Sequence, residues 1–447
     1  MIALLGLCMV TVFLFLVMTK RVSPMVSLIV VPAAFALIGG FAPELGDMIV
    51  DGIGSVAPTA AMLLFAILYF GIMIDAGLFD PITRAVVRLT RNDPLRLIVG
   101  TVALVAVVSL DGDGTTTFMI TVSALLPLYR KLGISPVLMT GLACLTNAIL
   151  NVVPWGGPSA RAASALGLDP QELFVPMIPP LVAGLATIFV LAWMLGLRER
   201  ARVRSGELVL AGGGGGTTGS GPSGSAGDSA DFDVLAPDRE SLRPKLIWFN
   251  AALTAALLVA LIVGVLPIAV LFMIGTGIAL LVNYPHLDMQ RARIAAHADS
   301  VVSVVSMVFA AAVFTGVLSG TGMIEQMAHY LLSAMPDGLY PFFSVIVAVL
   351  SVPFTFFMSN DAFYFGIMPI LAEAGAQHGI APIEIARASL LGQPIHMLSP
   401  LVPAMYVLIG LAKVDLGDHH RFAIKWALLV CAVVIGTGLG IGVISIH

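Results

Sequence analysis

Residues 107–122, VVSLDGDGTTTFMITV, place two carboxylates inside a strongly apolar part of the chain. Asp111 and Asp113 are separated by one glycine, and three threonines follow them. As a helix, the preceding apolar run 97–110 would reach about 21 Å, which is short of a hydrocarbon core of about 30 Å. The polar residues would therefore stop inside a membrane, where non-helical backbone must be buried in protein or line a cavity. The stretch predicts a re-entrant hairpin whose acidic tip has a functional role.

The composition of the whole chain indicates a membrane protein. Of its 447 residues, 59% are hydrophobic and 11% are charged, which is more apolar surface than a soluble domain could bury. Repeated runs of about 20 apolar residues predict an all-α polytopic membrane protein. We expect the three cysteines to be packed thiols, because all lie in hydrophobic segments. The sequence shows no nucleotide-binding loop, and we expect neither ATP drive nor a nucleic-acid partner.

The apolar runs predict about ten transmembrane helices, two of them broken, and two re-entrant hairpins. In chain order, the predicted segments are 1–19, 25–42, 57–76, the hairpin 97–127, the broken helix 136–167, 173–197, 246–265, 267–283, 299–320, the hairpin 341–372, the broken helix 382–412 and 424–446. The first segment has no basic n-region and no small-residue cleavage site. We therefore interpret it as a membrane helix and not as a removable signal peptide.

The basic residues predict the orientation, because lysine and arginine are concentrated in cytoplasmic loops. We take the loop after the first helix as cytoplasmic and let each hairpin enter and leave on one side. Every Lys and Arg then falls in a cytoplasmic segment, except Arg161 and Arg387, which lie inside helices. Residues 201–245 form a Gly/Ser-rich linker of the flexible kind. We predict a multi-pass protein of the plasma membrane, with this linker in the cytoplasm and both termini outside.

The two sides of the linker resemble each other. Matching positions of the two halves differ by the same number of residues, to within one residue. The pairs are Gly71 and Gly316, Gly77 and Gly322, and Pro154 and Pro400. Because the first half starts outside and the second starts inside, residues 1–200 and 246–447 are predicted to form an inverted-topology repeat. Such repeats are typical of secondary transporters.

Each half carries a polar hairpin tip and then a helix that Pro and Gly interrupt. Unwound backbone of this kind frees N–H groups for anionic oxygens and carbonyls for cations. Carboxylate, amide and hydroxyl oxygens suit Mg²⁺ or Ca²⁺, and an arginine can bind a carboxylate through two hydrogen bonds. We therefore predict one amphoteric site built from both tips and both broken helices. Its candidates are Thr115, Thr116, Asn147, Asn151, Gly157, Ser159, Arg161, Ser359, Asn360, Gln393, His396 and Ser399, together with the acids Asp111, Asp113 and Asp361.

Some of these residues have other interpretations. Arg161 could extend towards a membrane interface, and His396 could be a core histidine with satisfied hydrogen bonds. Asp75, near a helix end, is expected to be solvated. Asp111 and Asp361 could also be the aspartyl pair of an intramembrane enzyme, although no protease signature accompanies them. A channel would need a continuous polar path, whereas the hairpins favour a closed central site.

Three motifs make a family resemblance specific: SLDGDGTTTFMIT (109–121), MSNDAFYFGIMP (358–369) and GQPIHMLSPLVPAMYVLIGLA (392–412). With them the chain resembles the citrate–metal:proton symporter family (CitMHS) of the ion-transporter superfamily, over nearly its whole length apart from the linker. The resemblance implies inverted repeats around a midplane site, in a homodimer with a scaffold domain and a mobile transport domain. It also implies uptake of citrate complexed with a divalent metal of the Mg²⁺ or Ca²⁺ class, coupled to protons, and no enzyme activity.

On this resemblance, Asp111, Asp113 and Asp361 would face the metal or carry the coupling protons. The amides and hydroxyls would hydrogen-bond citrate, while Arg161 and His396 would compensate carboxylate charge. No cofactor is expected to stay bound, because the metal travels with the citrate. Sodium-coupled relatives carry Ser-Asn-Thr at their hairpin tips, and here an aspartate replaces the threonine of the second tip. A sodium-coupled carrier of free di- or tricarboxylates is therefore the alternative, and an arsenite-type anion exporter is a weaker one.

Overall fold

The computed structural model describes residues 2–19, 21–90, 93–204, 240–333 and 336–447, so most of the predicted linker lies outside the described residues. Regular structure is helical throughout the described part, which contains no β-strand. The α-helices are α1 (Ile2–Met18), α2 (Pro24–Ile38), α3 (Leu45–Asp75), α4 (Asp80–Thr90), α5 (Pro94–Val108), α6 (Gly114–Lys131), α7 (Pro136–Leu150), α8 (Gly157–Leu166), α9 (Pro170–Phe174), α10 (Ile178–Arg204), α11 (Ile247–Val263), α12 (Ile268–Asn283), α13 (Leu287–Ala296), α14 (Ala298–Gly320), α15 (Met323–Ser333), α16 (Phe343–Phe357), α17 (Met368–Ala376), α18 (Pro382–Leu391), α19 (Pro403–Ala412) and α20 (Leu416–Gly440).

Seven helical segments of the described residues are long and apolar enough to cross a membrane. They are Leu45–Asp75, Pro94–Asp111, Pro170–Val203, Pro244–Val263, Ala298–Gly320, Gly338–Phe357 and Leu416–Gly440. Shorter apolar helices accompany them, among them α1, α2, α7 and α12. The prediction of an all-α, multi-pass membrane protein is confirmed.

Helix α3 begins earlier than predicted. Its first residue is Leu45 rather than residue 57, and the acids Asp47 and Asp51 lie on the helix instead of in a loop. Tertiary packing explains the difference, because Met48 on the added turns is buried against α14. The local run of acids favours a loop, but contact with a neighbouring helix overrides that preference.

Helix α20 also begins before its predicted start. It covers Leu416–Gly440, whereas the apolar run predicts residues 424–446. Asp415 caps the helix, because its side-chain Oδ1 accepts hydrogen bonds from the backbone N–H groups of Gly417 and Asp418, at 2.8 and 3.2 Å. The cap satisfies two first-turn amides and adds a polar turn ahead of the apolar run.

The contact between α3 and α14 is closest at two glycines. A Cβ atom at Gly52 would overlap the carbonyl oxygen of Ala312, and one at Gly316 would overlap the carbonyl oxygen of Met48. Small residues allow helix backbones to approach this closely in membranes. The two helices are therefore joined backbone to backbone at this crossing.

Two helical hairpins occur where hairpins are predicted. Helices α5 and α6 pack together and are joined by a 3₁₀ turn at Ser109–Asp111. Helices α16 and α17 are joined through the second tip, residues 358–361, and a π-helical segment at Ala362–Ile367. That each hairpin enters and leaves a membrane on one side stays a prediction.

Proline and glycine separate the two parts of each broken helix. The first break lies between α7 and α8, where a Cβ atom at Gly156 would overlap the carbonyl of Asn151. The second break lies between α18 and α19 and contains a 3₁₀ turn at Gln393–Leu398. Proline lacks the amide hydrogen and clashes with the preceding turn, so Pro154 and Pro400 favour a break, although Pro58 and Pro353 lie inside α3 and α16. The breaks leave polar backbone and side chains beside the hairpin tips.

Buried apolar side chains form two clusters around these polar segments. The larger cluster contains residues of both hairpins and both broken helices, such as Phe118, Leu145, Phe363 and Leu390. The smaller cluster joins α1, α2, α14 and α15. The polar tips are therefore set in an apolar interior, where each unpaired polar atom carries a free-energy penalty.

Candidate functional site

The backbone of the first hairpin tip turns sharply at Gly112. This residue has a φ of +79°, a left-handed conformation that favours glycine. The following residue, Asp113, caps α6, because its carboxylate accepts hydrogen bonds from the N–H groups of Thr115 at 3.2 Å and Thr116 at 2.9 Å. The same carboxylate also accepts from the Thr116 hydroxyl at 2.7 Å. Much of its hydrogen-bonding capacity is thus used to hold the tip.

Three acceptor oxygens behind the tip remain unsatisfied. The Asp111 carboxylate accepts a hydrogen bond from the Asp113 N–H at 2.9 Å through Oδ1, while Oδ2 is buried without a partner among the described residues. Asn147 donates from Nδ2 to the Ser109 hydroxyl at 3.0 Å, which orients Oδ1 as a second buried acceptor without a donor. Asn151 Oδ1 is the third. Each of these oxygens can accept from a further donor or bind a cation, and the Thr117 hydroxyl lies near Asp111 as one such donor.

The second hairpin tip carries an ion pair that links the two halves of the chain. Arg161 of α8 donates from Nε to Asp361 Oδ1 at 2.6 Å, and both side chains are largely buried. Arg161 also donates from Nη1 to the carbonyl of Gly157 at 3.0 Å. A guanidinium has five N–H donors, so this geometry leaves donors for a further anion. The alternative in which Arg161 extends to an interface does not agree with this geometry.

A short hydrogen-bonded chain supports the second tip. Gln393 of the second break donates to the Tyr364 hydroxyl at 2.7 Å and, at 3.5 Å, to Asn360 Oδ1. His396 donates from Nδ1 to the Thr355 carbonyl at 2.6 Å, because a carbonyl oxygen only accepts. This bond places the proton of a neutral imidazole on Nδ1 and leaves Nε2 as an acceptor.

Two adjoining cavities meet at the tips. The larger has a volume of about 920 Å³ and includes Asp111 and Trp155 in its wall. The smaller, of about 250 Å³, contains Asn360, Asp361 and His396. Both cavities share the lining residues Gly112, Asp113, Gly157 and Arg161. Carboxylates and a guanidinium therefore face two adjoining cavities, the larger of which has the size that small-molecule ligands occupy.

Most of the predicted site residues line these cavities. They are Thr115, Thr116, Asn151, Gly157, Arg161, Ser359, Asn360 and His396, with the three acids Asp111, Asp113 and Asp361. Four others are buried and line neither cavity, namely Asn147, Ser159, Gln393 and Ser399. Ser159 donates to the Val152 carbonyl at 2.7 Å, and the Ser399 hydroxyl accepts from a backbone N–H at 3.2 Å. These two serines hold the unwound backbone of the breaks.

Sequence reasoning missed several residues around the larger cavity. The indole of Trp155 stacks on Phe70 with ring centroids 5.3 Å apart and donates to the Leu110 carbonyl at 2.9 Å. Asp75 is not a solvated single acid, because Arg293 and His297 contact its carboxylate. Neither feature has a local sequence signal, since each depends on contacts between distant segments.

Comparison with known proteins places the chain among citrate transporters. The family model CitMHS, described as citrate transporter, matches residues 13–392. A protein of Bacillus subtilis (strain 168) named "Citrate transporter" is 50% identical over 445 residues, and a second, named "Mg(2+)/citrate complex secondary transporter", is 48% identical over 447 residues. A third protein of that strain, "Uncharacterized transporter YraO", is 46% identical, and each comparison covers 100% of both chains.

A solved structure shares the fold. The YdaH transporter of Alcanivorax borkumensis matches with a TM-score of 0.54 at 13% sequence identity, over 91% of this chain and 89% of that one. At this identity the match shows a common architecture and carries no information about substrate.

Proposed function

Because the chain belongs to the CitMHS family of citrate transporters, we propose that it imports citrate as a divalent-metal complex, coupled to protons. It acts as a secondary transporter of the plasma membrane. The relative named for a Mg²⁺/citrate complex makes Mg²⁺ the first metal to test.

The observation that carries the proposal is the set of unsatisfied oxygens at the first tip. Asp111 and Asn151 line the cavities, and each has a buried acceptor oxygen without a hydrogen-bond partner among the described residues, although the Thr117 hydroxyl lies near Asp111. Asn147 Oδ1 is a third such acceptor, in a buried side chain that lines neither cavity. Hard oxygen ligands of this kind are those that Mg²⁺ and Ca²⁺ prefer. A cation that arrives with the substrate satisfies them during transport and leaves with it.

Charge favours the complex over the free anion. Citrate has three carboxylates, so a bound divalent metal reduces its net charge to about −1 and lowers the penalty of removing it from water. Arg161, which lines both cavities, compensates the remaining carboxylate charge, and His396 lines the smaller cavity. Thr115, Thr116, Ser359 and Asn360 supply hydrogen bonds to citrate oxygens.

Transport uses the two halves of the chain as inverted repeats. Residues 1–200 and 246–447 each contribute one hairpin and one broken helix, and the linker 201–245 joins them in the cytoplasm. The hairpins and broken helices form the mobile part and expose the site to each side in turn, within a homodimer. Protons enter the cycle through the tip acids, of which Asp361 contacts the substrate-facing arginine.

Citrate uptake into proteoliposomes tests the proposal. The assay uses an inward proton gradient without sodium, first with EDTA and then with excess Mg²⁺ or Ca²⁺. We expect uptake only with a metal and with the proton gradient. Uptake that survives EDTA, or that requires sodium, would contradict the proposal and favour a sodium-coupled carrier of free carboxylates.

Asp111→Asn provides the matching variant. It keeps the shape of the side chain but removes the anionic ligand, so metal-dependent uptake should fall by about 100-fold or more, in line with the loss of a charged hydrogen-bonding group. Asp51→Asn, on the exposed face of α3, is the control and should leave uptake unchanged. Equal uptake by Asp111→Asn and the unaltered chain would remove Asp111 from the metal site.

A further inference from the structure

A second charged cluster lines the larger cavity, away from the acids of the hairpin tips. Asp75 is the last residue of α3, Arg293 lies on α13, and His297 directly precedes α14. One oxygen of Asp75, Oδ2, accepts from Arg293 Nη1 at 3.1 Å and from His297 Nε2 at 3.0 Å. All three residues line the cavity that also contains Asp111 and Arg161.

A glycine holds the histidine in this position. A Cβ atom at Gly71 would lie 2.6 Å from Nδ1 of His297, so the imidazole lies flat against the backbone of α3. Any side chain at residue 71 would displace the ring from Asp75. The contact between the His297 ring and the backbone at Gly71 therefore fixes the position of the imidazole beside Asp75.

The predicted repeat relates this charged contact to an uncharged one between the same helices. The residue offset that relates Gly71 to Gly316 also relates other positions of α3 to positions of α13, α14 and the residue between them. The pairs are Met48 and Arg293, Gly52 and His297, and Asp75 and Gly320. At the opposite end of the helix pair, Met48 and Gly52 form a tight apolar crossing with Gly316 and Gly320. The same structural contact therefore exists in an uncharged form, and the charged form calls for another role.

The cluster offers donors to the cavity. Among the described residues, only Asp75 accepts a hydrogen bond from Arg293, so most of the guanidinium donors are available. Ser300 and Ser303 add hydroxyls to the same wall, and Glu240 is a further acid there. Asp75 Oδ2 already accepts from Arg293 and His297. The remaining N–H donors of Arg293 and the two serine hydroxyls suit an anion, whereas the carboxylate of Glu240 opposes one.

The position of the cluster indicates from which side an anion would reach it. The cavity wall includes Glu240 and Ser241, which belong to the linker 201–245, so this space extends from the hairpin tip to the linker side. We propose that Asp75, Arg293 and His297 form a second, metal-independent binding station for the carboxylates of free citrate on that side. The identity of the anion rests on the proposed function, whereas the anion-binding character rests on the cluster itself.

Isothermal titration of the purified full-length protein with citrate in EDTA tests this station separately from the metal site. We expect weak binding by the unaltered chain and about tenfold weaker binding by Arg293→Gln, because the variant loses a charge-assisted contact. Arg291→Gln, on the same helix but exposed and outside the cavity, is the matched control and should bind as the unaltered chain does.

Asp75→Asn should strengthen citrate binding, a change that misfolding of the variant cannot produce. It removes the internal carboxylate that competes for Arg293 and His297, so free citrate should bind roughly threefold or more tightly. No citrate binding in EDTA, or equal binding by Arg293→Gln and Arg291→Gln, would overturn the station. Asp111→Asn distinguishes the two proposals, because it should abolish Mg²⁺-dependent binding and leave binding in EDTA intact.

Discussion

Arg161 makes two hydrogen bonds within the protein and also lines both cavities. Its guanidinium binds Asp361 and the Gly157 carbonyl, and its side chain faces both cavities. A carboxylate of the substrate and the carboxylate of Asp361 would therefore share one guanidinium, the substrate using N–H donors that Asp361 and Gly157 leave available. Substrate binding and the Arg161–Asp361 ion pair are therefore expected to influence each other.

We predict that the stability lost in single variants of Arg161 and Asp361 is regained in the double variant, whereas transport is not. Arg161→Gln or Asp361→Asn alone leaves one largely buried charge without its partner, and each should lower the melting temperature of the purified protein. The double variant removes both charges and should regain most of that loss, yet it should not take up citrate. Thermal melting and proteoliposome uptake of the three variants check this.

An additive loss of stability in the double variant would show that the two side chains are energetically independent. The short Arg161–Asp361 contact would then contribute little to the fold, and its role in transport would need another test.

The sequence predicts polar tips, which line the cavities, but it does not predict the partners of their side chains. Asp111 and Asn360 are candidates from sequence because polar groups in an apolar run are rare and carry a free-energy cost. The pairing of Arg161 with Asp361 joins residues 200 positions apart, and no local pattern encodes it. Ser159 and Ser399 have the same polarity as site residues, but they satisfy backbone groups of the broken helices instead.

Among the helices, the crossing of α3 and α14 depends on the absence of side chains. A Cβ atom at Gly52 has no space, whereas one at Gly54 on the same helix meets no atom within 4 Å. Gly52→Ala should therefore separate the helices and lower the melting temperature. Gly54→Ala should be neutral or slightly stabilising, by up to about 1 kcal/mol from helix propensity.

Thermal melting of both variants in one detergent gives the comparison. If Gly52→Ala melts at the temperature of Gly54→Ala, the two backbones are not in contact at this crossing.

Element boundaries show where sequence patterns hold. Pro154 and Pro400 interrupt apolar runs, and both helices break around them as predicted. The start of α3 could not be predicted, because acids at positions 47 and 51 indicate a loop while distant packing against α14 extends the helix. The cluster around Asp75 was missed for the same reason, since its partners come from α13 and the start of α14.

At the scale of the whole molecule, two adjoining cavities hold groups for both a cation and an anion. The unsatisfied oxygens at the first tip would bind the metal, and the guanidinium of Arg161 would bind a citrate carboxylate. Neither the metal nor citrate alone should therefore bind this site well. Citrate and Mg²⁺ together should raise the melting temperature more than the sum of the two alone. At 100 times its dissociation constant, a ligand stabilises the folded state by about 2.7 kcal/mol.

Melting curves with citrate, with Mg²⁺, with both, and with both plus EDTA check this coupling. EDTA should return the curve to that of citrate alone. An unchanged melting temperature after metal removal would indicate that the protein binds the free anion.

Trp155 has a consequence for how the protein can be observed. Its indole lies in the wall of the larger cavity, stacked on Phe70. Trp193 and Trp248, by contrast, are 55% and 85% exposed on the helix exterior. Indole emission in the ultraviolet responds to nearby charge and water, so ligand arrival should appear as a change in intrinsic fluorescence, and Trp155→Phe should silence it. The molecule carries its own optical reporter, and binding can be followed in real time without a dye.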